Sequence, residues 1–221
     1  MSEFPAHLFD EPDPDVDTLA NLGPLTFMAG IFEGENGFDV KPTADGAEGQ
    51  AYIERRSLQP IDPQMNGPQL LYGLRYHTHI VNPDDIETYH DQVGYWLWEP
   101  ATGDIFHTLS IPRAQVALAK GNAGANDRKF TVEARRGSPE AGICSGPFLE
   151  ENFRTDSFIM TVTIHDENSW SYSENTVLKI AGVEEPFSHS DKHKLRRVAA
   201  PTPNPLARGI KAEDWRTTLA G

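Results

Sequence analysis

The sequence predicts an all-β chain, folded as a ten-stranded antiparallel up-and-down β-barrel with a short N-terminal helical turn and extended tails. Three observations lead there. About ten short runs rich in aromatic and β-branched residues follow one another. Clusters of Gly, Pro, Asn and Asp separate most of them at hairpin distance. Helical character is confined to one brief stretch. A meander of this length leaves bare edges unless it closes on itself, and closure makes the barrel. A two-sheet sandwich is the competing arrangement.

The elements follow in order. Residues 1–22 carry six acids and three prolines and read as an acidic, solvated lead-in. Residues 20–29 (ANLGPLTFMA) suit a helical turn, with Pro24 in its first turn. The strands then run over 30–40, 50–59, 69–81, 86–99, 104–111, 114–119, 129–135, 155–165, 169–180 and from Pro186 to Arg197. Turns are expected at 82–85, 100–103, 121–127, 166–168 and 182–185, and 137–153 is a longer irregular crossing. Phe158, Met160, Val162 and Ile164 alternate onto one face, and Tyr95, Trp96 and Trp98 read as barrel packing. One barrel domain is expected over 23–198, followed by a Pro-rich tail over 199–221.

Composition narrows the function. With 221 residues, one domain with a sizeable core is feasible. A net charge of −14 repels nucleic acids and anionic membranes. No apolar run is long enough to span a bilayer, and the N-terminus lacks a leader pattern, so a cytoplasmic location is expected. The single cysteine, Cys144, excludes an intrachain disulfide and any Cys-rich zinc site. No nucleophile elbow, P-loop or dinucleotide fingerprint occurs. The carboxylates look scattered and outward-facing.

The chemistry rests with the histidines. On the last strand, period two sets Phe187, His189, Asp191, His193 and Leu195 against Ser188, Ser190, Lys192, Lys194 and Arg196. The second set is polar and belongs outside, which turns His189 and His193 inward. Four residues apart on a strand is about 13 Å, too far to share an ion. His77 and His79 share a face of their strand, about 6.5 Å apart. With His90 or His107 as a third ligand they are a candidate zinc or non-haem iron site. Arg75 or Arg113, if inward, would bind a carboxylate head group.

Three stretches carry a family resemblance. They are Leu25 to Gly37 (LTFMAGIFEGENG), Pro68-Gln-Leu-Leu-Tyr72 through His90-Asp-Gln-Val-Gly-Tyr-Trp96, and Trp170-Ser-Tyr172 through His189 to Val198. In order and spacing they resemble the nitrobindin-like haem-binding barrels, which include the C-terminal domain of THAP proteins and are similar to fatty-acid-binding proteins and lipocalins. The resemblance implies a ten-stranded barrel holding haem b, with reactive-nitrogen chemistry at the iron. It implies an iron-binding histidine on the last strand and a second histidine opposite, which maps onto His90 beside Tyr89. In ungapped register the iron-ligand position is Ser190, and a one-residue bulge would bring His189 there instead. His193 is a further option.

The expected function is therefore binding of a small, apolar or amphipathic molecule in the barrel, haem b first. Alternatives are a haem-free carrier of a lipid-like or other organic acid, a barrel enzyme with a histidine metal site, and a filled structural barrel.

Overall fold

The wall of the molecule is built by strands whose every second side chain points to a shared interior. The computed structural model describes residues 4–84, 87–211 and 213–214. The expected turn residue 85 and the strand start at 86 lie outside the described residues, as do parts of both termini. The strands are β1 (Gly30–Thr43), β2 (Gly46–Pro60), β3 (Gln64–Asn66), β4 (Gln69–Val81), β5 (Thr88–Trp98), β6 (Asp104–Ile111), β7 (Gln115–Asn122), β8 (Lys129–Arg135), β9 (Ile143–Ser145), β10 (Phe153–Asp166), β11 (Ser169–Ile180) and β12 (Phe187–Ala199). A helix α1 (Pro147–Asn152) sits within the expected irregular crossing.

Ten of these strands close a ring in the order β1-β12-β11-β10-β8-β7-β6-β5-β4-β2, with β2 returning to β1. All the pairings are antiparallel, so the barrel replaces the sandwich alternative. The short β3 extends β4, and β9 pairs with β7. β7 and β8 share only Lys120↔Glu133 and Gly121↔Val132, and β9 fills the space where they part.

One end of the barrel is sealed. A 3-10 helix, Gly23–Met28, carries Pro24 in its first turn and places Leu22, Leu25 and Met28 in the interior. They meet Phe32, Leu74, Trp96 and Leu195 in one core. Thr18 and Leu22, within the stretch read as a solvated lead-in, are fully buried. The C-terminal tail packs beneath: the Asn204 side chain donates to the Val16 carbonyl and to Asp62, and accepts from the Thr18 amide. Trp96 and Trp98 are buried as expected, whereas Tyr95 projects outward.

Moving up from the sealed end, inward positions change from apolar to polar. On β2 the series is Leu58, Arg56, Glu54, Tyr52, and on β12 it is Leu195, His193, Asp191, His189. On β11 it is Trp170, Tyr172, Glu174, Thr176. β1 bends at an irregularity between Gly34 and Gly37. A Cβ at Gly34 would overlap the His193 ring, and one at Gly37 would overlap the Tyr52 ring. Glycine there lets both rings reach the interior.

Candidate functional site

Above the sealed core lies a cavity of about 880 Å³, within the range of small-molecule sites. Its apolar side is formed by Leu109, Ile143, Phe148, Phe153, Phe158 and Met160 from β6, β9, α1 and β10. Its polar side comes from β1, β2, β4, β5, β11 and β12. A larger groove of about 1040 Å³ runs outside the wall, between β4–β7 and residues 138–144. The interior cavity is the stronger candidate, because the barrel encloses it and the displaced titrations border it.

The polar side is organised around Glu54, which is fully buried. Its Oε1 accepts from Arg56 Nε at 2.8 Å and Nη2 at 2.6 Å. Its Oε2 accepts from His193 Nδ1 at 2.8 Å and from the Tyr172 hydroxyl at 2.9 Å. Burial pushes the Glu54 carboxyl up, but Arg56, His193 and Tyr172 outweigh it and hold the group below its ordinary range. Arg56 in turn lies over the Tyr172 ring, 4.7 Å from its centroid. Tyr52 donates to Asp191 Oδ1 at 2.5 Å.

A row of carboxyls crosses this side. Glu174, Asp191 and Asp39 are direct cross-strand partners on β11, β12 and β1. Like charges in such register are destabilising, and each of the three is handled differently. Asp39 accepts from the Tyr89 hydroxyl at 2.5 Å and pairs with His189 Nε2 at 2.7 Å. Burial raises Asp39, yet those bonds win and leave it lowered. Burial would lower His189, yet Asp39 wins and leaves it raised. Asp191 is pushed up to about 6, by burial first and by the Glu54 and Asp39 charges, against the Tyr52 bond. Glu174 is pushed up to about 8, by burial and then by the Asp191 charge.

On β4–β6, Tyr76 anchors a neutral cluster. Its hydroxyl donates to the Thr108 carbonyl at 3.0 Å, which can only accept. The phenol oxygen therefore accepts from Gln92 Nε2 at 2.6 Å and from His107 Nε2 at 2.8 Å. His107 is fully buried and stacks on Trp96 at 4.0 Å. Burial, then Arg56, holds it well below the usual imidazole range, so it is neutral.

The sequence-derived candidates divide between the two faces. His189, His90, Tyr89 and Arg113 border the cavity. Tyr89 and His90 are adjacent, and both turn inward because a bulge interrupts the β4–β5 register at Ile80/Val81. His189 faces inward with no bulge between Phe187 and Arg196, where the register of β12 with β11 is continuous. Ser190 lies on the opposite face, does not border the cavity, and sits across from Val40 and Asn175. His193 is inward but locked on Glu54, below the cavity floor.

Three candidates are corrected. Arg75 and His77 point to solvent, and His79 shares their outer face, beside Asp91 and Thr88. The opposite phase of β4, Leu74, Tyr76, Thr78 and Ile80, is the inner one, so Arg75 cannot hold a ligand inside. His77 and His79 stack on each other at 6.2 Å, whereas His90 and His107 lie inside the wall. Among the described residues no three His, Cys, Asp or Glu side chains form a metal-binding group. The carboxylates are not all outward either: Asp39, Glu54, Glu174 and Asp191 face in. Sequence reasoning passed over Arg56, Thr78, Tyr52, Tyr172 and Glu174, although Trp170 and Leu58 mark the inner phase of two of their strands.

Comparison with known proteins bears on this barrel. A family model described as a THAP4-like, heme-binding beta-barrel domain matches residues 21–197. Among solved structures, Rv2717c from M. tuberculosis superposes with a TM-score of 0.56 at 18% identity, covering 83% of this chain and 99% of that one. At that identity the likeness concerns the fold. No curated protein matched by sequence.

Proposed function

The chain belongs to the THAP4-like haem-binding β-barrel domain family, and on that premise we propose that it binds a small amphipathic organic molecule in its cavity, haem being the first candidate. The observation that carries this reading is His189, which faces a cavity of about 880 Å³ with the Asp39 carboxylate on its ring. Metal-bound histidines commonly carry such a carboxylate partner. The donor set fits a haem in kind: the imidazoles of His189 and His90, apolar walls, and the cations Lys41 and Arg113 bordering the same cavity. His189 would hold the iron, with Nδ1 as the ring stands or with Nε2 once released from Asp39. Haem, when bound, supplies an iron able to coordinate small ligands and change oxidation state. The protein's part is to orient the imidazole, exclude water with Phe153, Phe158 and Met160, and place His90 and Tyr89 on the cavity wall.

Hemin titration tests the proposal. A sharp Soret band should develop with wild-type protein and be lost in His189→Ala, while Ser190→Ala leaves it unchanged. Because Asp39 holds the His189 pKa above its ordinary value, hemin affinity should rise with pH as the imidazole loses its proton. Hemin absorbance indifferent to the protein would sink the haem reading. A haem-free ligand is favoured by one observation: the part of the cavity wall shared by Arg56 and Glu174 also carries the hydrogen-bonding side chains of Tyr52, Tyr172, Thr78 and Asp191. Native mass spectrometry of the purified protein, showing a retained organic molecule without porphyrin, would select it.

A further inference from the structure

Three buried polar atoms on the cavity wall have no hydrogen-bond partner among the described residues: Arg56 Nη1, Thr78 Oγ1 and His107 Nδ1. Their residues are 4%, 1% and 1% exposed. Folded proteins rarely leave such groups unpaired, and three bordering one cavity is a concentration that needs a partner. Two of them are neighbours by register, and the third, His107, bonds Tyr76, the inward residue next to Thr78 on β4. Arg56 on β2 is directly opposite Thr78 on β4, and Thr78 is opposite Gln92 on β5. Glu174 comes to the same cavity from β11 and has no hydrogen bond to another described residue.

What each atom offers is fixed by its other contacts. Arg56 has committed Nε and Nη2 to Glu54, so its charge is balanced and Nη1 keeps N–H donors. His107 spends its one proton on the Tyr76 oxygen, which leaves Nδ1 as a bare acceptor. Thr78 can donate or accept. Glu174, protonated at neutral pH because burial and Asp191 raise it, adds an uncharged carboxyl. Within this patch donors and acceptors lie on one cavity wall beside a guanidinium whose charge Glu54 already balances. An anion finds its guanidinium already neutralised. A cation finds that same guanidinium nearby, and the Asp191 carboxylate beside Glu174 is already held by Tyr52.

We propose that Arg56, Thr78, His107 and Glu174 form a head-group subsite for an uncharged group that both donates and accepts, a carboxamide being the fullest match. Its carbonyl accepts from Arg56, its NH₂ donates to His107, and Thr78 completes the set. The apolar body of the ligand lies against Phe158 and Met160. The inference rests on the reading of the barrel as a ligand-binding cavity and specifies which end of the ligand is read.

Calorimetry with four probes of equal chain length tests it: octanamide, 1-octanol, octanoate and n-octylammonium, each titrated into the full chain at neutral pH. Octanamide should bind roughly tenfold more tightly than either charged probe, with octanol between. Thr78→Val, which keeps the shape and removes the hydroxyl, should weaken octanamide by roughly three- to tenfold. Ser190→Ala, on the outer face of β12, should preserve octanamide binding, and Glu174→Ala, which removes the carboxyl, should weaken it even where the Thr78 variant proves unstable. Equal affinities for all four, as expected if ordered water alone serves these atoms, would overturn the subsite and leave the cavity reading intact. Octanoate binding tightest overturns it too, as does octylammonium binding tightest with loss in Glu174→Gln. If no probe binds, the subsite is overturned, and the hemin titration decides the cavity reading separately.

Discussion

Replacing Glu174 by glutamine isolates the electrostatic cost of the carboxyl row. Glu174, Asp191 and Asp39 stand side by side on β11, β12 and β1. Burial and the Asp191 charge move the Glu174 carboxyl from 4.5 up to about 8. In the unfolded chain it ionises near the lower value, so the folded state holds an extra proton between the two. Stability therefore falls as pH rises through that window. At about 1.4 kcal/mol per tenfold change in proton affinity, the ceiling is about 5 kcal/mol. Glu174 is only partly buried and borders a cavity that water can enter, so screening reduces the expected cost to roughly 2 kcal/mol. Glutamine resembles the protonated acid and never ionises. Urea unfolding at about pH 5 should give wild type and Glu174→Gln nearly equal stability. At about pH 8.5 the variant should be more stable by roughly 2 kcal/mol. A difference that does not change with pH, or a variant less stable in alkali, would refute the account of the row.

Two further outcomes follow from the interior. Glu54→Gln removes the charge that balances Arg56 and hydrogen-bonds His193, and should cost about 3 kcal/mol or more by urea titration. A loss below about 1 kcal/mol would mean that Arg56 finds another counter-charge. Gly37→Ala should lower stability by roughly 1–3 kcal/mol in thermal or chemical unfolding, because its methyl group would overlap the Tyr52 ring. An unchanged midpoint would show that the bend in β1 can give way.

Much of the architecture could be read from alternation and turn chemistry. Phe158, Met160, Val162 and Ile164 share the inner face as their spacing indicates. The contrast between Phe187, His189, Asp191 and their lysine-bearing neighbours likewise put His189 on the cavity side. The polar interior was harder, for a physical reason. On β2 both phases are mixed: Tyr52, Glu54 and Arg56 run with Leu58, and Arg55 and Ser57 run with Ile53, so period two sorts them poorly. What makes the first set tolerable inside is pairing with residues far along the chain, such as Glu54 with His193 across 139 positions. No local pattern encodes that. On β4 the signal was present, since Leu74, Tyr76 and Ile80 mark the inner phase and put His77 outside. The bulge that turns Tyr89 and His90 the same way leaves no mark in composition.

The Tyr89–Asp39–His189 chain has one more effect. It joins β5 to β1 and β12, which lie on the far side of β4 and β2 in the ring. Any ligand that claims the Nε2 of His189 must first win it from Asp39, so the protein carries its own intramolecular competitor. A ring free about one-tenth of the time lowers apparent affinity about tenfold with every wall contact unchanged. Affinity at this imidazole is then set partly by a carboxylate rather than by the fit of the ligand to the cavity. Loss of the Tyr89 hydroxyl, which helps hold that carboxylate in place, would be felt as a change in binding strength.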